Sequence, residues 1–417
     1  MGQLYENKEI EERVILVGVS EHDGDDALDS LQELEELVAT AGAVTVGMVI
    51  QNRMSIHPGT YVGTGKVEEI RELLLAEDAT GIVCDDELSP AQMKNLEDLL
   101  HTKVMDRTLI ILDIFAAHAS TSEGKIQVEL AQLKYRMTRL TGFGRSMSRL
   151  GGGIGTRGPG EKKLEVDRRL IASRVAQLNR ELKEVQKHRE LTRGRRKSSH
   201  MLVAAIVGYT NAGKSTLLNH LTNAEVLEED KLFATLDPTT RILELAGHQK
   251  LLLTDTVGFI RKLPHHLIEA FKSTLEEAKY ADLIIHVVDA SNPQADKQMQ
   301  IVYETLQNLG VTGKKIITLF NKQDQVAVDE ILRDGRADVT LKISAAKDQG
   351  LEEVKNLLVD ILRESRQYVE MVLPYNRLGL LEEMHRLGEM VKEEYTADGI
   401  AIQAYLPADI LGKIEKG

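Results

Sequence analysis

The stretch LVAAIVGYTNAGKSTLLNHL carries Gly208, four further residues, then Gly213, Lys214 and Ser215, which is the spacing of a loop built to hold phosphates. Glycines let backbone N–H groups crowd an anion, a lysine neutralises it, and the serine hydroxyl ligates Mg2+. Tyr209, Thr210, Asn211 and Ala212 complete the loop, so residues 208–215 are the expected phosphate contacts, with Lys214 as the catalytic cation. The apolar run before the loop and the amphipathic run after it give the strand-to-helix context that the motif requires.

Further pieces follow in order. LLLTDTVGF ends an apolar run with Asp255, Thr256, Val257 and Gly258; Asp255 is placed to hold the metal through water, and the Gly258 amide to meet a γ-phosphate. NKQD, residues 321–324, ends another such run, and LKISAAK places Ser344, Ala345 and Ala346 beyond it. Asp324 can accept hydrogen bonds from guanine N1–H and its exocyclic amine, groups that adenine lacks, while Lys322 packs along the base and Asn321 and Gln323 flank them. GTP and GDP are therefore the expected ligands, because adenine would leave a buried carboxylate unpaired. A second metal-binding hydroxyl belongs between Ser215 and Asp255, where LFATLDPTTR offers Thr235, Thr239 and Thr240. Its FAT resembles the switch segment of the Obg-related GTPases, which favours Thr235, with Phe233, Ala234, Leu236 and Asp237 beside the nucleotide.

Two positions bear on hydrolysis. Phe259 stands where Ras-like enzymes carry a water-orienting glutamine, and a phenyl ring holds no water; slow free turnover, completed by an outside surface, is the expectation. Asn211 resembles the asparagine of GTPases that place K+ beside the phosphates, so K+ joins Mg2+ as an expected cofactor and Asn211 joins Lys214 and Gly258 as a catalytic residue.

Elements must position these residues. Apolar runs alternate with amphipathic helical runs from 199 to 366, the pattern of a doubly wound, mostly parallel α/β sheet. Residues 13–120 alternate in the same way, through RVILVGV, VTVGMVI, GIVCDDE and KVMD, and predict an N-terminal α/β domain over 1–122. Cys84, the sole cysteine, reads as core; YVGTGKVEEI reads as a strand-to-helix turn, since it lacks full P-loop spacing. Residues 367–417 read as a small α+β module, with a helix over GLLEEMHRLGEMVKEE and a strand over GIAIQAYLP.

Between the two larger domains the period changes. Ile126, Leu130, Leu133, Met137 and Leu140, then Leu164, Ile171, Leu178 and Val185, make a stripe that predicts an antiparallel helical hairpin over 123–198. Its tip, GRSMSRLGGGIGTRGPGEKK, holds glycines and the basic residues Arg145, Arg149, Arg157, Lys162 and Lys163. The formal net charge is −13, yet residues 134–197 hold nineteen Lys and Arg against six Asp and Glu, about +13 against −26 for the remainder. A basic arm on an acidic chain suits an RNA crevice.

YVGTGKVEEI, SRLGGGIGTRGPGEKKLE, GYTNAGKST, LFATLDPTTR, DTVGFIRKLPH and NKQD together resemble the HflX family of translational GTPases, from about residue 13 to 366 and beyond. The resemblance implies binding to the large ribosomal subunit and its rRNA, and separation of stalled ribosomes under stress. A GTP-dependent switch that binds RNA or protein without splitting activity stays open beside it. The first residues are polar and acidic, with no signal-peptide core, and no uninterrupted apolar run is long enough to span a membrane, so a cytoplasmic protein is expected. Nothing in the sequence demands an oligomer, and a monomer is expected. His265 and His266 read as exposed residues rather than metal ligands.

Overall fold

The computed structural model describes residues 11–21, 26–147, 159–198, 201–222, 232–233, 235–264, 267, 272–326, 332–364 and 366–415. The chain divides into two compact units, the first comprising residues 1–184, 231–233 and 262–271, the second the rest.

In the first unit four strands, β1 (Arg13–Ser20), β2 (Val44–Asn52), β3 (Gly81–Cys84) and β4 (Lys103–Asp106), form a sheet in the order β2-β1-β3-β4. Every pairing is parallel, as the alternation of strand and helix patterns requires. Helices α1 (Ala27–Thr40), α2 (Thr64–Ala76), α3 (Pro90–Leu100) and α4 (Arg107–His118) connect or follow these strands. Ser89 and Gln92 form a reciprocal cap that starts α3, with Pro90 at its first turn. The core gathers Ile15, Val17, Ile70, Ile82 and Leu96, and Cys84 is fully buried among them. The GTGK stretch opens α2, and Lys66 pairs with Glu69 one turn on.

Charged groups are also buried in this unit, and each is paired. Arg107, 1% exposed, binds Asp85 at 2.7 Å and also Glu33, and Ser30 donates to Asp85 at 2.7 Å. Lys262 reaches Asp85 too, and Asp86 at 2.8 Å. Burial by itself raises the Asp85 carboxyl, but Arg107 and Lys262 outweigh it and hold the group below its ordinary value. Asp106 caps α4 through the Leu109 amide and accepts from the Tyr135 hydroxyl at 2.8 Å.

Tyr135 lies on α5 (Ser122–Met147), which is followed by α6 (Pro159–Ser198). At 1.5 Å per residue the 40 residues of α6 run about 60 Å. Arg174 of α6 grips Glu129 of α5 with bonds of 2.7 and 2.8 Å, and Leu178 of the anticipated stripe is 1% exposed. On α5, Leu130 of the stripe is buried, and so are Val128, Ala131 and Tyr135 outside it, while Ile126, Leu133, Met137 and Leu140 stay partly open. The stripe expected on α5 therefore describes only one of the two faces that the helix buries. Arg145 falls within α5 and Lys162 and Lys163 within α6; Arg149 and Arg157 lie outside the described residues.

In the second unit a six-stranded sheet has the order β10-β9-β8-β5-β7-β6. Its strands are β5 (Val203–Gly208), β6 (Thr239–Glu244), β7 (Lys250–Asp255), β8 (Leu283–Asp289), β9 (Lys315–Asn321) and β10 (Val339–Lys342). All pairings are parallel except β6 with β7. Helices α7 (Lys214–Thr222), α8 (Lys272–Tyr280), α9 (Ala295–Asn308) and α10 (Leu351–Glu364) accompany them. Ile206, Leu217, Leu253, Ile285, Ile317 and Val354 centre the core. The apolar strand runs thus end together at one edge, where Gly208, Asp255, Asp289 and Asn321 are the last residues of their strands.

The C-terminal module forms a three-stranded antiparallel sheet, β11 (Gln367–Leu373), β12 (Glu389–Thr396) and β13 (Gly399–Leu406), in the order β11-β13-β12, with α11 (Leu378–Leu387) and α12 (Ala408–Glu415). The helix expected over residues 379–394 stops at Leu387, and its second half is β12. Gly388 makes the break: a Cβ there would lie 2.5 Å from Leu406 Cδ2 and 2.9 Å from the Met384 carbonyl. Arg363 of α10 holds Glu389 through two hydrogen bonds of 2.8 and 2.6 Å, which tie this module to the six-stranded sheet.

Candidate functional site, a nucleotide pocket at the strand edge

Two glycines open the phosphate loop for physical reasons. Any Cβ on Gly208 would sit 2.2 Å from the Val287 carbonyl, and one on Gly213, at φ +89, would sit 2.3 Å from Asn321 Nδ2. Asn211 sits in the left-handed region at φ 60, a conformation that asparagine tolerates better than most residues. Ala212 is buried, and Lys214 and Ser215 begin α7, so the N-terminal amides of that helix face the loop. Lys214 is 6% exposed and donates to the Tyr209 carbonyl at 2.7 Å. Burial pulls its pKa down to about 8, against the opposing charge of Asp255.

Three oxygens meet beside Lys214. The Ser215 hydroxyl donates to Asp255 Oδ2 at 2.7 Å and lies 2.8 Å from Thr235 Oγ1. Asp255 is fully buried; burial pushes its carboxyl up, while Lys214 and Ser215 pull it back. Its other oxygen, Oδ1, is buried with no hydrogen-bond partner among the described residues. An orphaned carboxylate oxygen beside two hydroxyls is the hard donor set that suits Mg2+. The other threonines are used elsewhere: Thr239 pairs with Asp255 in the β6–β7 ladder, and Thr240 bonds Thr254 at 3.0 Å.

Thr256 donates to the Ile206 carbonyl at 2.8 Å, and Val257 is buried. Gly258 lies directly against the loop, where a Cβ would be 2.8 Å from Thr210 Cγ2 and 3.0 Å from Lys214 Nζ. Leu236 is buried and Asp237 half-buried; Ala234, His265 and His266 lie outside the described residues. Phe233 groups with the first unit, where its ring meets the edge of Phe115 at 4.8 Å.

At the other end of the edge, Asn321 acts as a brace. Its amide donates to the Ala212 carbonyl and its oxygen accepts from the Ala345 amide, both at 2.9 Å. The phosphate loop, the NKQD turn and the SAA turn are thereby fixed to one side chain. Ser344 donates to Asp324 Oδ1 at 2.6 Å, and this bond is the main cause that holds the Asp324 carboxyl below its ordinary value. Asp324 therefore stays ionised, as an acceptor for ring and amine N–H groups must. Lys322, in the left-handed region at φ 60, reaches Asp289 at 2.7 Å; Gln323 and Ala346 complete the turns beside it. Asp289 escaped the sequence reading, although its place at the end of the HVVD run, on the same strand edge, marks it.

Residues 28–116 match a family model described as GTP-binding GTPase N-terminal, residues 118–196 one described as GTP-binding GTPase Middle Region, and residues 203–322 one described as 50S ribosome-binding GTPase. A GTPase HflX of Lacrimispora saccharolytica is 63% identical over 414 residues, covering 99% of this chain and 98% of the relative. The chain belongs to the HflX family of GTPases. The HflX GTPase of Escherichia coli K12 is 40% identical, covering 92% of this chain and 91% of its own. Among solved structures, a GTP-binding protein from Sulfolobus solfataricus in complex with GDP aligns at 25% identity and TM-score 0.44, covering 84% of this chain and 98% of that one. As an HflX GTPase the chain is a GTP hydrolase with a P-loop fold. No helix among its described residues is long and apolar enough to cross a membrane.

Proposed function

We propose that this HflX GTPase binds the large ribosomal subunit and couples GTP binding and hydrolysis to dissociation of ribosomes. The observation that carries the nucleotide half is the Ser215, Thr235 and Asp255 cluster beside buried Lys214, on the same strand edge as the Asn321 brace and Asp324. Residues 208–215 hold the phosphates, and Asp324 selects guanine. Ser215 and Thr235 would hold Mg2+, with Asp255 reaching it through water; the bound ion supplies charge neutralisation at the β and γ oxygens. The Gly258 amide, beside Lys214, stabilises charge on the γ-phosphate.

The ribosomal half is supported by the match of residues 203–322 to a 50S ribosome-binding GTPase model and by the +13 island at residues 134–197. Arg145, Arg149, Arg157, Lys162 and Lys163 provide the charge for rRNA phosphates. Phe259, with no group to orient water, leaves the site incomplete until a docked particle finishes it. K+ at Asn211 would add a positive charge beside the phosphates, and hydrolysis at equal rates in K+ and Na+ buffers would remove that ion from the scheme. A ribosomal partner places the working protein in the cytoplasm.

The test is sedimentation through sucrose with 50S particles, comparing wild type with a variant in which Arg145, Arg149 and Arg157 are all alanine. Pelleting should fall at least about tenfold at 150 mM salt, with GDP affinity unchanged. Unchanged pelleting would remove the tip from the ribosomal contact. Light scattering of 70S particles then separates splitting from mere binding: a fall with GTP or its non-hydrolysable analogue supports dissociation, and no fall with either removes it.

A further inference from the structure

Past the DxxG glycine the backbone runs alongside the phosphate loop. The Phe259 amide donates to the Gly208 carbonyl at 3.1 Å, and the Thr210 amide donates to the Phe259 carbonyl at 2.8 Å, a two-bond parallel bridge. Two residues on, the Arg261 amide donates to the phenolic oxygen of Tyr209 at 2.8 Å. Any sequence makes the first two bonds. The third depends on one side chain, and its ring is 5% exposed.

Tyr209 thus does two things at once. Its carbonyl receives the Lys214 ammonium and its hydroxyl fixes the segment that follows Gly258. Phe259 itself is 1% exposed and has no polar atom on its ring, so this stretch acts on the phosphates only through the placement of its backbone. That placement is constrained at the near end by the packing of Gly258 on Thr210 and Lys214, and at the far end by the Tyr209 hydroxyl. The next residue, Lys262, takes φ 53 and is held by Asp85 and Asp86 instead, so the Arg261 amide makes the last bond from this segment to the phosphate loop among the described residues.

We propose that Tyr209 is a positioning residue for GTP hydrolysis: its hydroxyl clamps residues 259–261 to the phosphate loop and so holds Gly258 packed against Thr210 and Lys214. The clamp serves the triphosphate, because the DxxG segment addresses the γ-phosphate, whereas the loop itself holds the α and β phosphates in GDP as well as GTP. Losing the hydroxyl therefore separates hydrolysis from diphosphate binding. The inference rests on reading Lys214 and its loop as the nucleotide site.

The experiment compares full-length wild type with Tyr209→Phe, which keeps the ring and removes one oxygen. Fluorescent GDP binding and single-turnover hydrolysis of bound GTP are measured, with amide hydrogen exchange over residues 257–263 as an independent readout. The expected result is GDP affinity within about twofold of wild type, hydrolysis slower by about fivefold, and faster exchange at Arg261. Unchanged hydrolysis would overturn the proposal, as would GDP affinity and hydrolysis falling by the same factor, since the tyrosine would then only shape the loop. Failure of wild type itself to bind GDP would instead refute the nucleotide site, a result distinct from either.

Discussion

At the residue scale, two of the buried polar atoms left without a hydrogen bond among the described residues are informative. Asp255 Oδ1 and His286 Nδ1 are both buried without a hydrogen-bond partner among the described residues. The first belongs to the carboxylate whose other oxygen takes the Ser215 hydroxyl at 2.7 Å; the second lies in β8, 3.9 Å from Asp334, with its ring edge-on to Tyr303 at 5.2 Å. Burial pushes the His286 pKa down to about 4, with Asp334 opposing and Lys214 adding to the fall. The unfolded chain takes up this proton below its ordinary value of about 6.5, and the folded chain only near 4. Stability is therefore full above 6.5 and declines as the pH falls toward 4, by about 3 kcal/mol at most. Urea unfolding of wild type and His286→Gln across that range should give a shallower decline in the variant; parallel curves would contradict the burial argument.

Elements show why the sequence was readable in some places and opaque in others. The phosphate loop, DTVG and NKQD were legible because each is a contiguous run whose backbone and side chains serve one ligand; the loop lies between strand and helix, and the other two lie at strand ends, as expected. The first sheet was legible for the same local reason, the alternation of apolar strand and amphipathic helix. What stayed hidden were bonds between residues distant in sequence: Arg107 with Asp85, Asn321 with Ala212, Arg363 with Glu389. The misread helix after residue 387 has a tertiary cause. EMVKEE is a good helical sequence taken by itself, yet pairing with β13 across a bulge at Met390–Lys392 overrides that preference. Gly388 enforces the change, and Gly388→Ala should destabilise the C-terminal module by about 1–3 kcal/mol through its clash with Leu406 and the Tyr405 carbonyl. Denaturant unfolding followed by a probe in this module would measure the loss, and an unchanged midpoint would show that the strand yields without strain.

On the scale of the whole chain, charge and chemistry are segregated. The cationic island runs through α5 and α6, and the acidic remainder carries the three sheets and the nucleotide pocket. A molecule so divided can hold an anionic polymer at one place while its acidic surfaces stay unattractive to it. The first unit buries one thiol, that of Cys84, and burial pushes it well above its ordinary pKa, with Asp106 and Asp86 adding to the rise. Since the chain has no second sulfhydryl, a colorimetric disulfide reagent becomes a stopwatch for breathing of that sheet: labelling in native buffer should lag labelling in urea by at least about a hundredfold. Equal speeds would mean that the strands part freely, whereas a lag that shortens when GTP or a 50S particle is added would time the loosening of this unit without any engineered dye site.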